Sequence, residues 1–200
     1  LALLPEAIEE ADATLERLLP YILDRSVVAI LVAEPSCLSA IKDDWIQLKL
    51  RGDKQHRHML AGKSWLPEHF LDAMWDKHPQ RPTFRAYAGA DPMMLHGHCH
   101  QKALWGAQTS AGALARIPNA NVRTLDTGCC GMAGSFGYTK DRYDLSMKIG
   151  ELALFPAVRS APSATVAAPG TSCRHQVHDG CDREAKHPIQ ILAEHLEGRA

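Results

Sequence analysis

The chain has 200 residues, 46% of them apolar, with 22 lysines and arginines against 23 aspartates and glutamates and a formal net charge of -1. That apolar share is enough for a proper core and argues against disorder. The near-balance of charge, with no Lys/Arg-rich run, argues against nucleic acid or an anionic membrane as principal ligand.

Along the chain, Leu4 to Leu23 carries Ile8, Ala11, Leu15, Leu18 and Ile22 on one stripe, with acidic residues near its start, as an amphipathic helix requires. Val27 to Ala33 is a continuous apolar run, the pattern of a buried parallel strand. It runs into Glu34-Pro-Ser-Cys37, after which Leu38 to Leu48 resumes helical spacing. Residues 50–64 are charged and aperiodic and read as a loop; Leu66 to Trp75 reads as a helix. The proline-rich stretch His78 to Phe84, with Gly89 and Pro92 beyond it, marks a subdomain boundary, so the domains expected are 1–84 and 85–200.

Beyond that boundary strand and helix alternate. Strands are expected at Met93–His96, Val122–Leu125 and Thr165–Ala168, and helices at Gln101–Arg116, Thr139–Phe155 and Pro188–Leu196. The fold class expected is therefore α/β, with parallel sheets flanked by helices. No apolar run approaches the ~20 residues needed to span a bilayer, and the acidic amino end is unlike a signal peptide. The chain reads as cytoplasmic, and because it begins inside a helix without methionine, as a fragment of a longer polypeptide.

Six cysteines in such a chain point to metal or thiol chemistry rather than a disulfide frame. Cys129 and Cys130 are adjacent inside Thr127-Gly-Cys-Cys-Gly-Met-Ala-Gly-Ser-Phe-Gly137. Neighbouring thiols pair with each other only in a strained ring, yet both can face one metal centre when glycines free the backbone. Placed on the expected elements, Cys37, Cys99, Cys129 with Cys130, and Cys173 each fall just beyond the carboxyl end of a strand, the edge of a parallel sheet where cofactors bind. Such thiolates suit zinc or an iron-sulfur cluster, not magnesium or calcium. Cys181 reads as an ordinary exposed cysteine, and His96, His98 and His100 as hydrogen-bonding support. A structural zinc site, and metal-free thiol redox chemistry at Cys129 or Cys130, are the alternatives left by the residues themselves.

Four blocks carry a resemblance: Glu34-Pro-Ser-Cys37, His96-Gly-His-Cys-His-Gln-Lys-Ala103, Thr127-Gly-Cys-Cys-Gly131 and Ala168-Pro-Gly-Thr-Ser-Cys173-Arg-His-Gln176. In this order they resemble the cysteine-rich CCG domain, found in one of the subunits of heterodisulfide reductase, in the iron-sulfur subunit of glycolate oxidase, and at the carboxyl end of FAD-linked oxidases of the D-lactate and D-2-hydroxyglutarate dehydrogenase type. The resemblance implies two pseudo-related halves, the first incomplete here, with Cys99, Cys129, Cys130 and Cys173 as cluster ligands of the second and Cys37 as the last ligand of the first. It implies a 4Fe-4S or noncubane iron-sulfur cluster, flavin and ferredoxin-like domains in the same longer polypeptide, and an electron-transfer role, with quinone contact and a peripheral place at the inner membrane as further options. Gln176 stands where a Cys-x-x-Cys pair would have its second thiol, which puts a five-thiolate cluster in doubt. The chain carries neither a Gly-x-Gly-x-x-Gly loop nor a Cys-x-x-Cys-x-x-Cys run, so FAD and an ordinary ferredoxin cubane belong to the other domains.

Overall fold

The computed structural model describes residues 3–198, and contact density divides the chain into two units, the second beginning at Leu71. The first unit opens with α1 (Leu4–Leu23) and β1 (Ile30–Leu31). Next, α2 (Pro35–Ser39) runs through a wide π turn into α3 (Trp45–Gln47), and α4 (Lys54–Lys63) leads into β2 (Ser64–Trp65). β1 and β2 pair in parallel, Ile30 opposite Ser64 and Leu31 opposite Trp65. Leu15, Ile22, Ile41 and Leu60 form the core of this unit. α5 (Pro67–Ala73) carries the chain into the second unit.

Within the expected loop 50–64, only residues 50–53 are irregular, and the rest is a helix and the start of a strand. The helix was illegible because its buried face holds only Leu60 and Arg57. The Arg57 guanidinium is buried by donating to the carbonyls of Trp45 (2.9 Å) and Leu48 (2.8 Å). What starts α4 is a cap, the Asp53 carboxylate accepting from Gln55 N–H at 2.7 Å. The expected strand Val27–Ala33 shrinks to Ile30–Leu31, and Val28 and Leu31 are exposed rather than covered.

The second unit contains β3 (Met93–Leu95), α6 (Cys99–Leu104), α7 (Gln108–Leu114), β4 (Val122–Thr124), α8 (Lys140–Glu151) and α9 (Leu154–Arg159). It closes with β5 (Val166–Ala167), α10 (Thr171–Cys181), β6 (Ala185–Lys186) and α11 (Pro188–His195). The four strands form one parallel sheet in the order β4-β3-β5-β6. Side-chain alternation sorts the strand residues onto two faces. Met94, Val166 and Ala168 pack with Leu154, Phe155, Val158 and Val177 of α9 and α10 on one side. Met93, Leu95 and Ala167 pack with Leu114, Ile117, Ile191 and Leu192 on the other, where Phe84, Leu71 and Trp75 also lie.

Two expected helices are each split in two. Gly106, at φ 79°, takes the left-handed conformation that ends α6. Pro156 has no N–H to give to residue 152, so α8 cannot run through into α9. Helix α10 gave no apolar signal because its buried stripe is Cys173, Gln176 and Val177.

Asp12 ties the first unit together. Its buried carboxylate accepts from Arg51 N–H (3.0 Å), Arg51 Nε (3.2 Å) and Gly52 N–H (3.0 Å). Burial pushes this carboxyl up, but the N–H donors of Arg51 and Gly52 and the Arg51 guanidinium outweigh it and hold it below the usual carboxylate range. A depressed folded value means that the stabilisation is complete above the unfolded carboxylate pKa and is lost as pH falls through the folded one. Asp12→Ala should therefore cost about 2 kcal/mol near pH 7 by denaturant unfolding, with the gap to the parent chain closing in acid as pH falls below the usual carboxylate range.

Candidate metal centre

In the order β4-β3-β5-β6 the chain leaves β3 for β4 on one side and returns to β5 on the other. The loops after β3 and β5 therefore diverge at the carboxyl edge and open a crevice there. Cys99 follows β3 and is the first residue of α6; Cys173 follows β5 in the first turn of α10. Cys129 and Cys130 lie in the loop after β4.

The structure brings these four together. Each thiol shifts the ionisation of the next, Cys99 and Cys129, Cys129 and Cys130, Cys130 and Cys173, and His96 acts on Cys173 as well. Cys130, Cys173 and His96 are all buried, and their ligand atoms lie within 4.8 Å of one another. Cys99 and Cys129 are partly exposed and form the outer side of the group.

Ionisation alternates along this series. Cys129 is held far below the ordinary thiol range, first by the hydrogen bond from Cys130, then by that from Cys99, with Gly131 and Ala133 N–H groups adding to it. Gly131 N–H lies 3.3 Å from the Cys129 sulfur. Cys173 is likewise lowered, first by Cys130 and, against the effect of burial, by His96. Cys99 and Cys130 are pushed up, first because each donates to the Cys129 sulfur and then by burial, complete for Cys130 and partial for Cys99. The backbone N–H groups of His100 and Met132 act the other way, lowering Cys99 and Cys130 in turn. Convergent soft sulfur donors, ringed by N–H groups that favour the anionic form, fit a thiophilic metal or an iron-sulfur group.

Side chains that no ligand motif reveals hold the loops in place. Lys102 Nζ donates to the carbonyls of Thr127 and Gly128, tying α6 to the Cys129 loop. Arg174 donates to the carbonyls of Ala168 (2.9 Å) and Pro169 (2.7 Å) and to Thr171 Oγ1 (3.0 Å), fixing the loop after β5. Ser146 Oγ donates to Gly131 O at 2.9 Å, and Gln176 Nε2 donates to Ser146 O (3.0 Å) and Oγ (3.1 Å). Gln176 thus braces the cysteine loop through Ser146. Lys102 and Arg174 stand three and one residues from site cysteines and could have been suspected; nothing local marks Ser146.

Two glycines are required by space. A Cβ on Gly170 would lie 2.3 Å from His98 Cδ2, so the loops after β3 and β5 meet only without a side chain there. Gly131 has φ 99°, and a Cβ would lie 2.2 Å from Ser146 O.

Cys37 lies on α2 of the first unit with its side chain exposed. Cys181 closes α10, half-buried rather than exposed, with its sulfur 3.9 Å from Phe155 O. Eight residues of helix, about 12 Å of rise, separate it from Cys173.

The chain is similar to a component of the anaerobic glycerol-3-phosphate dehydrogenase of Escherichia coli K12, the third of its lettered subunits, at 24% identity over 170 residues, covering 84% of this chain and 41% of that protein. It is also similar to D-2-hydroxyglutarate dehydrogenase of the same organism, 27% identical over 162 residues (80% of this chain, 15% of the relative). The Pantoea ananatis D-2-hydroxyglutarate dehydrogenase is 27% identical over 164 residues, with the same coverage. The chain therefore spans well under half the length of these relatives. No protein-family model and no solved structure matches it. Among the described residues no helix is long and apolar enough to cross a membrane.

Gly131→Ala should destabilise the second unit by at least about 2 kcal/mol in denaturant unfolding, because it adds left-handed strain to a backbone clash. Gly128→Ala, at a site with nothing within 4 Å of the added carbon, should be far milder.

Proposed function

We propose that this chain is the iron-sulfur electron-transfer part of a longer flavin-linked dehydrogenase acting on a 2-hydroxy acid. The observation that carries the reading is the buried group of His96, Cys130 and Cys173, with Cys99 and Cys129 near enough to shift the same thiols, drawn from three strand ends to the carboxyl edge of one parallel sheet. Support comes from relatives named as dehydrogenases or a dehydrogenase subunit, each much longer than the matched region.

Cys99, Cys129, Cys130 and Cys173 would hold the group. A cluster bound there would supply one-electron redox chemistry. The protein's part is to favour the anionic form and hold the sulfurs in place: the N–H groups of His100, Gly131, Met132 and Ala133 lower the thiols they act on, and Lys102, Arg174 and Gln176 hold the loops. The buried pair Cys130 and Cys173 shields one side from water, while the half-exposed Cys99 and Cys129 face the route by which a redox partner would approach. Oxidation of the hydroxy acid would belong to a flavin domain of the longer polypeptide, with a ferredoxin-like segment between. Cys37 would be the last ligand of a separate, incomplete first-half site.

Anaerobic reconstitution with iron and sulfide should give brown protein whose chromophore bleaches on reduction. Cys130→Ser should lose most of the bound iron, and Cys37→Ser should leave the chromophore intact. Colourless protein that takes up stoichiometric zinc instead, with no reducible signal, would favour a structural zinc site and reject the electron-transfer role.

A further inference from the structure

We propose that His96 is a direct nitrogen ligand at the buried end of this site, so that the metal group is held by mixed sulfur and nitrogen donors rather than by sulfur alone. This rests on the metal-binding reading above.

The first ground is distance. The ligand atoms of His96, Cys130 and Cys173 lie within 4.8 Å of one another. Two donors on one tetrahedral centre, a single ion or one iron of a cluster, stand about 3.5–3.8 Å apart when metal-sulfur and metal-nitrogen bonds are about 2.3 and 2.0 Å. Closing the gap takes side-chain shifts of about 1 Å, with no loop movement.

The second ground is the tautomer. His96 Nδ1 lies 2.8 Å from Thr127 Oγ1, so that ring nitrogen is engaged and Nε2 is the nitrogen that remains for a metal. Metal-bound histidines are oriented by such a hydrogen bond on the far nitrogen, which fixes which atom binds. Thr127 sits in the loop that carries Cys129 and Cys130, so one contact sets the ring against both strand ends.

The third ground is the lack of a rival nearby. Gln176, one helical turn beyond Cys173, has spent its amide on Ser146. His98 is committed differently: its Nδ1 accepts from His100 N–H at 3.2 Å and caps α6, and its Cδ2 edge packs against Gly170. His96, 1% exposed, has the burial of the inner cysteines it faces. Replacing thiolate by imidazole on one iron reduces the negative charge of the centre and raises its potential.

The test uses the whole chain with 15N-labelled histidine, reconstituted with iron and sulfide and reduced, and read by pulsed electron paramagnetic resonance. A strong nitrogen coupling that changes isotope with the label is expected, lost in His96→Ala. His96→Cys should retain iron, lose the coupling and lower the potential. A chromophore showing only weak, unlabelled backbone nitrogens would overturn the assignment while leaving the electron-transfer reading intact, and the labelled parent chain decides this without any variant. If no iron chromophore forms, cobalt(II) alone is titrated into the metal-free chain. At least about tenfold weaker binding by His96→Ala supports the ligand, and equal binding contradicts it.

Discussion

Sulfur atoms separated by more than seventy residues of chain can meet in this protein because a parallel sheet reverses its winding direction between β3 and β5. At that reversal the connecting loops diverge, and the backbone N–H groups at the starts of α6 and α10 face the opening. A thiol placed there is drawn toward the anionic form by helix-end dipoles and N–H donors, while its neighbours compete for the same protons. Everything else in the second unit serves to hold that arrangement, from the hydrophobic faces that lock the strands to the Lys102, Arg174 and Gln176 contacts that pin the loops.

Packing and chemistry are coupled at a few positions. Cys173 is both the end of a hydrophobic cluster with Phe155 and Val177 and a member of the thiol group. Ser146, buried on α8, reaches the Cys129 loop through Gly131 and meets Gln176 on α10. A disturbance in either helix is thus transmitted to the cysteines through two short hydrogen bonds. The inner and outer halves of the group differ accordingly: Cys130, Cys173 and His96 are enclosed by core, and Cys99 and Cys129 lie toward the surface.

Much of this was legible in the amino-acid order. The β-rich apolar runs and the glycine-flanked cysteines located β3, β4 and β5 and set Cys99, Cys129, Cys130 and Cys173 at their carboxyl ends. What stayed hidden was what carries no apolar period. α4 shows a single buried leucine and a buried arginine that donates to two carbonyls, and α10 hides a glutamine in its inner stripe. The strands β2 and β6 are two residues each and one of each pair, Ser64 and Lys186, is polar, so neither leaves an apolar run. Gln176 was visible as a departure from a cysteine pair, but its bracing role depends on Ser146, thirty residues away, and only packing reveals that. His96 looked like one of three alternating histidines; its place beside Cys130 and Cys173 and the Thr127 contact distinguish it.

Whether one inorganic group sits among these sulfurs is tested most directly by anomalous X-ray scattering at the iron edge, from crystals of anaerobically loaded protein. A peak enclosed by Cys99, Cys129, Cys130 and Cys173 is predicted; iron bound elsewhere, with these cysteines joined in disulfides or left apart, would contradict it.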